Sequence, residues 1–385
     1  MVGGFYTVYK KELKNEVSMS NRIEVKTSTK EMYEIVLENS FNSLQDELKK
    51  INLINKKACI ISDDMVSPIY GEMITKLLKE INVDVFAYTI KHGEENKNLK
   101  TVEGIYEFLI KNHINRNDYL VALGGGVVGD ITGFTAATYL RGIDFVQIPT
   151  TLLAQVDSSI GGKTGVDFLA YKNMVGAFYM PKLVYTNLST LSTLNERQFY
   201  SGFAEAMKSA IIKNATYYEW LIEHMYEITD KEMDTLEELV FQSCNIKKAI
   251  VEKDPYETGD RALLNLGHTI GHAIEKAKGF SLLHGECVAL GCIGAAYISW
   301  KKELLSMDEY YEIRDMFVPF NLPISVEAIE PEEILQLTKS DKKADNQGIK
   351  FVLIKKIGKA IIDRTVTDEE IINAVKELIY TDEME

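Results

Sequence analysis

Three of the chain's six histidines lie close together, between positions 268 and 284. They occur in the segments NLGHTIGHAIE and LLHGE, and a helix would place the first two, His268 and His272, on one face because they are four residues apart. Further upstream, GFAEAMKSA places Glu205 and Lys208 one helical turn apart. A catalytic zinc site uses three histidine, carboxylate or cysteine ligands and keeps a fourth position open for substrate.

Glu205, His268 and His284 would form such a ligand set and would leave His272 free as a base. The spacing alone does not decide which of the three histidines is left out. The segment also differs from the zinc motif H-E-x-x-H, because no glutamate follows His268. The simpler alternative is that these histidines occupy polar positions in a helical core.

A glycine-rich segment, LVALGGGVVGDITGF, follows a predicted strand and opens a predicted helix. Gly124, Gly126 and Gly129 satisfy the pattern G-x-G-x-x-G, in which glycines let the backbone approach a pyrophosphate at the positive end of a helix. The segment lies on a late strand, and no acidic residue ends the next strand. The pattern alone is therefore as compatible with a tight strand-to-helix turn as with a nucleotide site.

More polar residues follow this segment. Asp130 comes directly after it, and YKNMVGAF adds Lys172 and Asn173. Between them, IPTTLLAQVDSSIGGKTGVD forms a second glycine-rich loop at a strand end, with polar residues at Asp157, Ser158, Ser159, Lys163 and Thr164. Basic side chains clustered in an acidic protein are typical of an anion pocket. The second loop thus favours the nucleotide or phosphate interpretation.

The first half of the chain alternates short β-branched segments with helical periodicity. Strands are predicted at KKACIISDD, DVFAYTI, DYLVALGGG, FVQIPTT and KLVYTNL, and helices at VSPIYGEMITKLLKEI and LKTVEGIYEFLIKNHI. Such alternation predicts a Rossmann-like, doubly wound α/β sheet that is largely parallel and binds ligands at the carboxyl ends of its strands.

From about Glu196 the pattern becomes mostly helical. Long helices are predicted at ERQFYSGFAEAMKSAIIKN, TLEELVFQSCNIKKAIVEK, RALLNLGHTIGHAIEKAKG and GECVALGCIGAAYISWKKEL, and a hairpin at IKFVLIKKIGKAII. We therefore expect an N-terminal extension at residues 1–20, an α/β domain at 21–193 and a mostly α-helical domain at 194–385. The histidines fall in the helical domain.

Composition limits the class of protein. The 385 residues are 46% hydrophobic and 26% charged, as expected of a soluble globular protein, and the net charge of −14 argues against nucleic-acid and anionic-membrane partners. Four cysteines without C-x-x-C spacing indicate a reduced cytoplasmic protein. The longest apolar stretch, Cys287 to Trp300, is shorter than the roughly 20 residues that a bilayer requires. The N-terminal residues lack the apolar region of a signal peptide.

Taken together, these segments resemble the 3-dehydroquinate synthases, a family of sugar-phosphate cyclases. The resemblance runs from about Ile60 to Ile362 and rests on GGGVVGDITGF, RGIDFVQIPTTLLAQVDSSIGGKTGVD, KNMVGAFY, GFAEAMKSA, ETGDRALLNLGHTIGHAIE and LLHGECVALG, in the family's order and spacing. The family fold is an NAD-binding α/β domain followed by a mostly helical domain for metal and substrate. The resemblance implies that Glu205, His268 and His284 bind a divalent metal, zinc or cobalt. It also implies that His272 lines the substrate cavity without binding the metal.

The resemblance also implies the remaining site residues. Positions that match NAD contacts are Asp63, Glu94, Lys97, Gly125, Gly126, Val127, Asp130, Thr150, Thr151, Asp157, Lys163, Lys172 and Thr193. Positions that match substrate contacts are Asp157, Lys163, Lys172, Asn173, Lys208, Lys247, Arg261, Asn265 and one of Lys342 and Lys343. Arg141 matches an arginine that reaches the neighbouring subunit's phosphate pocket, which implies a homodimer. Met65 and Gln198 depart from the family pattern near the cofactor positions.

The implied reaction converts 3-deoxy-D-arabino-heptulosonate 7-phosphate to 3-dehydroquinate and phosphate, with NAD used catalytically. Two other enzymes share these features: a related cyclase such as 2-deoxy-scyllo-inosose synthase, and a metal-dependent polyol dehydrogenase. Arg261 and Asn265 favour 3-dehydroquinate synthase over these two enzymes, because they match family contacts to the substrate's carboxylate side and ring. A dehydrogenase would not need so many cationic substrate positions, and a non-catalytic binding protein would not need the complete set of site residues.

Overall fold

The computed structural model describes residues 22–27, 30–169, 171–340, 344–345 and 348–380. The predicted N-terminal extension and the pair Lys342 and Lys343 lie outside these residues. Within the described part of the chain, no helix combines the length and the apolar character that a transmembrane span needs.

The α/β half contains a seven-stranded sheet in the order β1-β2-β9-β6-β5-β3-β4. Its strands are β1 (Arg22–Thr27), β2 (Lys30–Glu38), β3 (Lys57–Asp63), β4 (Asp84–Ile90), β5 (Tyr119–Gly124), β6 (Asp144–Pro149) and β9 (Leu183–Asn187). All neighbouring pairs run parallel except β1 and β2. The predicted parallel, doubly wound sheet is confirmed, and each of the five predicted strands is present.

Helices connect the parallel strands of this sheet. They are α1 (Leu44–Lys50), α2 (Glu72–Glu80), α3 (Leu99–Lys111) and α4 (Gly126–Thr138), and short turns of helix cover Ser67–Gly71, Glu94–Asn96, Tyr139–Arg141 and Ala154–Ser158. The loop predicted around Lys163 instead enters an antiparallel hairpin, β7 (Lys163–Phe168) and β8 (Tyr171–Phe178), which lies apart from the main sheet. Lys163, Lys172 and Asn173 therefore sit on strands.

The second half is mostly helical. Its helices are α5 (Glu196–Lys213), α6 (Ala215–Glu223), α7 (Met225–Thr229), α8 (Met233–Lys253), α9 (His268–Ala277), α10 (His284–Lys301), α11 (Met307–Asp315), α12 (Pro331–Ser340) and α13 (Asp368–Glu377). Short turns cover Leu188–Ser192, Asp260–Asn265 and Val318–Phe320. The predicted hairpin is confirmed as β12 (Phe351–Lys356) and β13 (Lys359–Asp363), and β10 (Ala344–Asp345) pairs with β11 (Gly348–Ile349).

The segment RALLNLGHTIGHAIEKAKG is not the continuous helix that its periodicity predicts. A 3₁₀ turn over Asp260–Asn265 is followed by Gly267 in a left-handed conformation, with φ of 77°, and α9 begins only at His268. A side chain at Gly267 would place its Cβ 2.7 Å from the backbone nitrogen of Cys292, so only glycine lets the chain pass α10 this closely. The break makes His268 the first residue of its helix.

The hydrophobic core does not divide at the predicted boundary. One large cluster contains most buried helices of the C-terminal half together with Ile23, Val25, Ile35 and Leu37 from β1 and β2. Two smaller clusters lie on the two faces of the sheet. The β1–β2 edge of the sheet thus packs against the helical half. The division of the chain into domains at residue 193 stays a prediction.

Candidate active site

Three side chains from three helices converge in the helical half. Nε2 of His284 lies 3.4 Å from Oε1 of Glu205, and Nε2 of His268 lies 3.8 Å from the same oxygen. The potential ligand atoms of these three residues all lie within 4.8 Å of one another. Two imidazole nitrogens and a carboxylate oxygen around one point match the donor set of a divalent zinc-type site.

Close helix packing makes this convergence possible. A side chain on Gly285 would place its Cβ 1.8 Å from the carbonyl oxygen of Ser201, and one on Gly291 would lie 1.8 Å from the carbonyl oxygen of Gly267. Glycine at these positions lets α10 lie directly against α5 and against the start of α9. Glu205, His268 and His284 are brought together as a result.

The charge balance at Glu205 fits a cation. Its side chain is 1% exposed, Lys208 pairs with Oε2, and Oε1 faces the two imidazoles without a hydrogen bond of normal geometry from any described residue. Burial alone would raise the pKa of Glu205, but the Lys208 ammonium and the His284 imidazole together lower it. A buried, ionised carboxylate with an unsatisfied oxygen beside two imidazoles fits a divalent metal ion.

His272 lies beside this cluster and belongs to a different group. Its ring centre is 5.0 Å from that of His268 and 5.9 Å from that of His284. Its own potential ligand atoms group with those of Glu275 and His284 and not with those of Glu205. Among the described residues, two groups of potential ligands therefore share His284, and only the one with His268 contains Glu205, as the resemblance implies.

A second charged pair lies next to the cluster. Lys247 on α8 donates to both the carbonyl oxygen and Oδ1 of Asp157, at 2.7 Å each. Burial would raise the pKa of Asp157, but Lys247 and Lys208 together hold it well below its usual range. Asp157 is thus an anion that lines the site between two ammonium groups.

The loop before α9 supplies further polar groups. The guanidinium of Arg261 is buried and donates to the carbonyl oxygen of Gly161 at 2.9 Å. Glu257 accepts from Asn265 at 2.9 Å and pairs with Lys163 at 2.5 Å. Sequence reasoning missed Glu257, although its position four residues before Arg261, in the segment ETGDRALLN, was an available signal.

Glu275 was also missed. Lys172 donates to its Oε1 at 2.9 Å and lies 3.2 Å from Glu94. The signal for Glu275 was its spacing, three residues after His272 on the same helix. Two carboxylates that were not predicted therefore hold two of the predicted lysines.

The cofactor candidates continue the network. Lys97 is 5% exposed, contacts Asp130 at 2.6 Å and donates to Asn173 Oδ1 at 2.6 Å. Burial alone would lower the pKa of Lys97, but Asp130 and Glu94 raise it above its ordinary value. Lys97 is therefore charged and neutralises the acids at this end of the sheet.

Other cofactor candidates line the carboxyl ends of the parallel strands. Asp63 ends β3, Thr150 and Thr151 follow β6, and Gly125, Gly126 and Val127 open α4, while Thr193 follows β9. Oδ1 of Asp63 accepts from the backbone of Met65 and Val66, and Thr193 shares a hydrogen bond of 2.7 Å with Tyr70. These residues form one edge, as the topology of a parallel sheet requires.

The glycine segment is open at this edge. No side chain of the described residues caps α4, so its first backbone N–H groups are available to a ligand. A side chain at Gly126 would lie 2.9 Å from Oγ of Ser158, and one at Gly125 would lie 3.0 Å from Thr151. Glycine at these positions lets Thr151 and Ser158 pack against the start of α4, and a positive helix end of this kind is a typical site for the pyrophosphate of a dinucleotide.

Arg141 lies apart from this group of predicted site residues. Arg141 is exposed at the far end of α4, about 20 Å from the glycine segment at the usual rise per residue, and forms no hydrogen bond or ion pair with the other described candidates. Lys342 lies outside the described residues, so its predicted contact stays a prediction.

Known proteins share this arrangement. Residues 87–201 match the N-terminal domain of 3-dehydroquinate synthase and residues 202–344 its C-terminal domain. A 3-dehydroquinate synthase from Acetivibrio thermocellus is 42% identical over 343 residues, covering 89% of this chain and 95% of that one.

Two solved structures are similar over the whole fold. The 2-epi-5-epi-valiolone synthase of Streptomyces hygroscopicus, with NAD+ and Zn2+ bound, has a TM-score of 0.84 at 25% identity and covers 92% of this chain and 99% of its own. A 2-deoxy-scyllo-inosose synthase in complex with carbaglucose-6-phosphate, NAD+ and Co2+ has a TM-score of 0.84 at 24% identity, covering 93% and 100%. The fold, the matched domains and the identity over most of both chains lead to one assignment: this chain belongs to the 3-dehydroquinate synthase family.

Proposed function

We propose that the chain converts 3-deoxy-D-arabino-heptulosonate 7-phosphate to 3-dehydroquinate and inorganic phosphate. The observation that carries this proposal is the cleft itself, where a Glu-His-His cluster lies beside an array of buried cationic side chains. Such a site suits a substrate with a carboxylate, a phosphate and several hydroxyls. The family relatives support the same reaction.

Glu205, His268 and His284 would hold the divalent metal. The bound ion would polarise substrate hydroxyls and lower their pKa. Zinc or cobalt is proposed from the nitrogen and oxygen donors, and the bound Zn2+ of the valiolone synthase supports zinc. Lys208 holds Glu205 ionised and therefore ready as a ligand.

The edge formed by Asp63, the glycine segment and Thr193 would hold NAD. Bound NAD would accept a hydride from a ring carbon of the substrate and return it after phosphate has left. The N–H groups at the start of α4 would bind its pyrophosphate. Lys97 and Asp130 form an ion pair in the same cleft, and each would hold the other's side chain in place beside the cofactor.

The cationic residues would bind and orient the substrate anions. Lys163 pairs with Glu257, and Lys172 pairs with Glu275. A carboxylate therefore balances the positive charge of each lysine before substrate binds. Arg261 is buried and held by the carbonyl of Gly161, which fixes the guanidinium before substrate binds. Groups fixed in this way stabilise developing charge without reorganisation during the reaction.

His272 would move a proton without holding the metal. It lies next to His268 and His284, and its ring is not part of the group around Glu205. We infer that it serves as a base toward substrate, because a neutral imidazole can accept a proton near neutral pH.

We also propose a homodimer in which Arg141 completes the partner's pocket. Its distance from the cleft of its own chain, set by the length of α4, supports a role toward a second copy. Exposed Leu140, Phe168 and Leu169 offer apolar surface for an interface. Four free cysteines, all buried, support the proposal of a reducing, cytoplasmic location.

The decisive experiment uses the heptulosonate phosphate with NAD well below stoichiometry. We expect many equivalents of inorganic phosphate per NAD and no steady rise in NADH absorbance, because the hydride is returned within each turnover. Glycerol should give neither signal. Accumulation of NADH one for one with product would replace the cyclase by a polyol dehydrogenase, and turnover of a sugar phosphate without a carboxylate would favour a different cyclase.

A further inference from the structure

Glu275 is a buried acid whose role in the proposed reaction is so far limited to its pairing with Lys172. Its side chain is 3% exposed in the interior of α9. Lys172 donates to Oε1 at 2.9 Å, whereas Oε2 accepts no hydrogen bond from any described residue. A buried carboxylate oxygen without a donor is costly unless it has a use.

One use would be a second metal ion. Glu275, His272 and His284 place their potential ligand atoms within 4.8 Å of one another. However, this second cluster shares His284 with the first, and Nε2 of His284 is the atom that faces Glu205. An imidazole that binds one metal through Nε2 carries its proton on Nδ1, so it has no lone pair there for a second ion.

The position of the His284 ring suggests a different use. Its Nε2 faces Glu205 Oε1 at 3.4 Å, and its Nδ1 faces Glu275 Oε1 at 4.0 Å. The imidazole therefore lies between two carboxylates, one on each ring nitrogen. A neutral imidazole carries one N–H, so a ring that presents Nε2 to a metal must carry its proton on Nδ1 and needs an acceptor there.

His268 already shows this arrangement. Its Nδ1 lies 3.0 Å from the carbonyl oxygen of Leu266, while its Nε2 faces Glu205. Metal-binding histidines generally use their second nitrogen in this way, which fixes the tautomer and the orientation of the ring. Among the described carboxylates, Glu275 is placed to do for His284 what the Leu266 carbonyl does for His268.

We propose that Glu275 is a positioning residue that accepts the Nδ1–H of His284 and so presents Nε2 to the metal. This inference rests on the proposed metal site. The proposal requires the 4.0 Å between His284 Nδ1 and Glu275 Oε1 to shorten to hydrogen-bond distance when the metal binds. Lys172 pairs with the same carboxylate at 2.9 Å and holds it in place, and a carboxylate accepts an N–H more strongly than a backbone carbonyl does.

The test compares zinc affinity and a spectroscopic signature. Apo protein would be titrated with zinc against a chelator, and Co2+-loaded protein would be studied by proton NMR, where the Nδ1–H of each bound histidine gives a shifted, exchangeable resonance. We expect two such resonances in the wild type. Glu275→Ala should lose one of them and bind zinc about 10- to 100-fold more weakly.

Glu275→Gln tests the role without removing the side chain. Its amide oxygen can still accept the N–H, so the resonance should persist with faster solvent exchange, and zinc binding should fall less than in Glu275→Ala. The matched control is Glu286→Gln, which neutralises a buried carboxylate two residues after His284 that pairs instead with Arg197. It should keep both resonances and the wild-type affinity.

The outcomes separate this inference from the proposed function. Wild-type zinc affinity and two protected resonances in Glu275→Ala would overturn the role of Glu275 while the metal site stands. Equal losses in Glu275→Ala and Glu286→Gln would overturn it too, because the effect would then be a general one of charge. A wild-type protein whose zinc affinity does not depend on Glu205, tested with Glu205→Ala, would overturn the metal site itself.

Discussion

At the scale of single residues, the two histidines on one face of α9 differ in what surrounds them. His268 faces the buried carboxylate of Glu205, and its other nitrogen faces a backbone carbonyl. His272 groups with Glu275 and His284 instead. Four residues of spacing therefore place two chemically identical side chains in different surroundings, and the difference depends on the neighbouring helices.

This difference predicts opposite effects of the same substitution. His268→Ala should lose the metal, because it removes one of three ligands from a site that has no spare donor in its place. His272→Ala should keep the metal and lose most turnover, because it removes a base. Metal content per chain by elemental analysis, together with steady-state rates, checks both. Full metal content in His268→Ala would contradict the ligand assignment, as would metal loss in His272→Ala.

Asp254 shows how one carboxylate holds the loop that carries Arg261 and Glu257. Its Oδ2 accepts the backbone N–H groups of Gly259 and Arg261, and its Oδ1 accepts that of Thr258. Burial alone would raise the pKa of Asp254, but these hydrogen bonds lower it to about 2. The carboxylate form is the one that fits all three donors.

Asp254→Asn should therefore destabilise the protein by about 2 kcal/mol at neutral pH, since its amide N–H groups would face backbone N–H groups. The contribution of Asp254 is fully present above the unfolded pKa of about 3.9 and is lost as pH falls toward the folded value. Urea unfolding at several pH values measures this. The gap between wild type and variant should narrow below about pH 4, and a gap that stayed constant or widened in acid would contradict the role.

At the scale of elements, close helix contacts decide whether the metal cluster can form. Gly267 combines a φ of 77° with contact to α10, where an added Cβ would lie 2.7 Å from the nitrogen of Cys292. Gly279, at the other end of α9, has a φ of 56° but nothing within 4 Å of an added Cβ. Comparing substitutions at these two glycines therefore separates the cost of backbone strain from the cost of a steric clash.

Gly267→Ala should cost several kcal/mol and displace His268, because it adds a clash between helices to the strain of a left-handed residue. Gly279→Ala should cost only about 1 to 2 kcal/mol and keep the metal. Thermal unfolding and metal content measure the two effects. Equal stability losses, or retained metal in Gly267→Ala, would show that the packing of α9 on α10 does not hold the cluster.

The elements also show what the sequence could and could not predict. The strands at Lys57–Asp63 and Tyr119–Gly124 were predictable because each is a short, nearly continuous apolar run, which is typical of a buried parallel strand. The break before His268 was not, because apolar spacing continues through Leu263, Leu264 and Leu266 while the close approach of α10 requires Gly267 to turn. The β7–β8 hairpin was missed because β7, KTGVDF, directly follows a pair of glycines and so resembled a continuation of the polar loop.

The same limit applies to the site. Glu205, His268 and His284 were predictable from residue type, spacing and family resemblance, and the structure brings them together. Glu257 and Glu275 were not, because their partners Lys163 and Lys172 lie about a hundred residues away along the chain and on a different element. Contacts at such separation follow from tertiary packing, which local patterns do not encode.

At the scale of the whole molecule, the proposed role of Arg141 would tie the active site to the assembly of two chains. The residue follows α4 at the edge of the sheet opposite the glycine segment, where it is exposed. The length of α4, about 20 Å, separates it from the glycine segment. The family resemblance implies that Arg141 serves the phosphate pocket of a second copy, and its exposure is compatible with that role.

Mixing two inactive variants tests this sharing. Arg141→Ala removes the residue given to the partner, and Lys163→Ala disables the pocket of its own chain. A hybrid dimer then holds one complete pocket, in which an intact Lys163 receives the intact Arg141 of the other chain. Random reassociation should yield about a quarter of wild-type activity, because about half of the dimers are hybrids and each has one working site. Hybrids shown to form by mass spectrometry but lacking activity would mean that each pocket is complete within one chain.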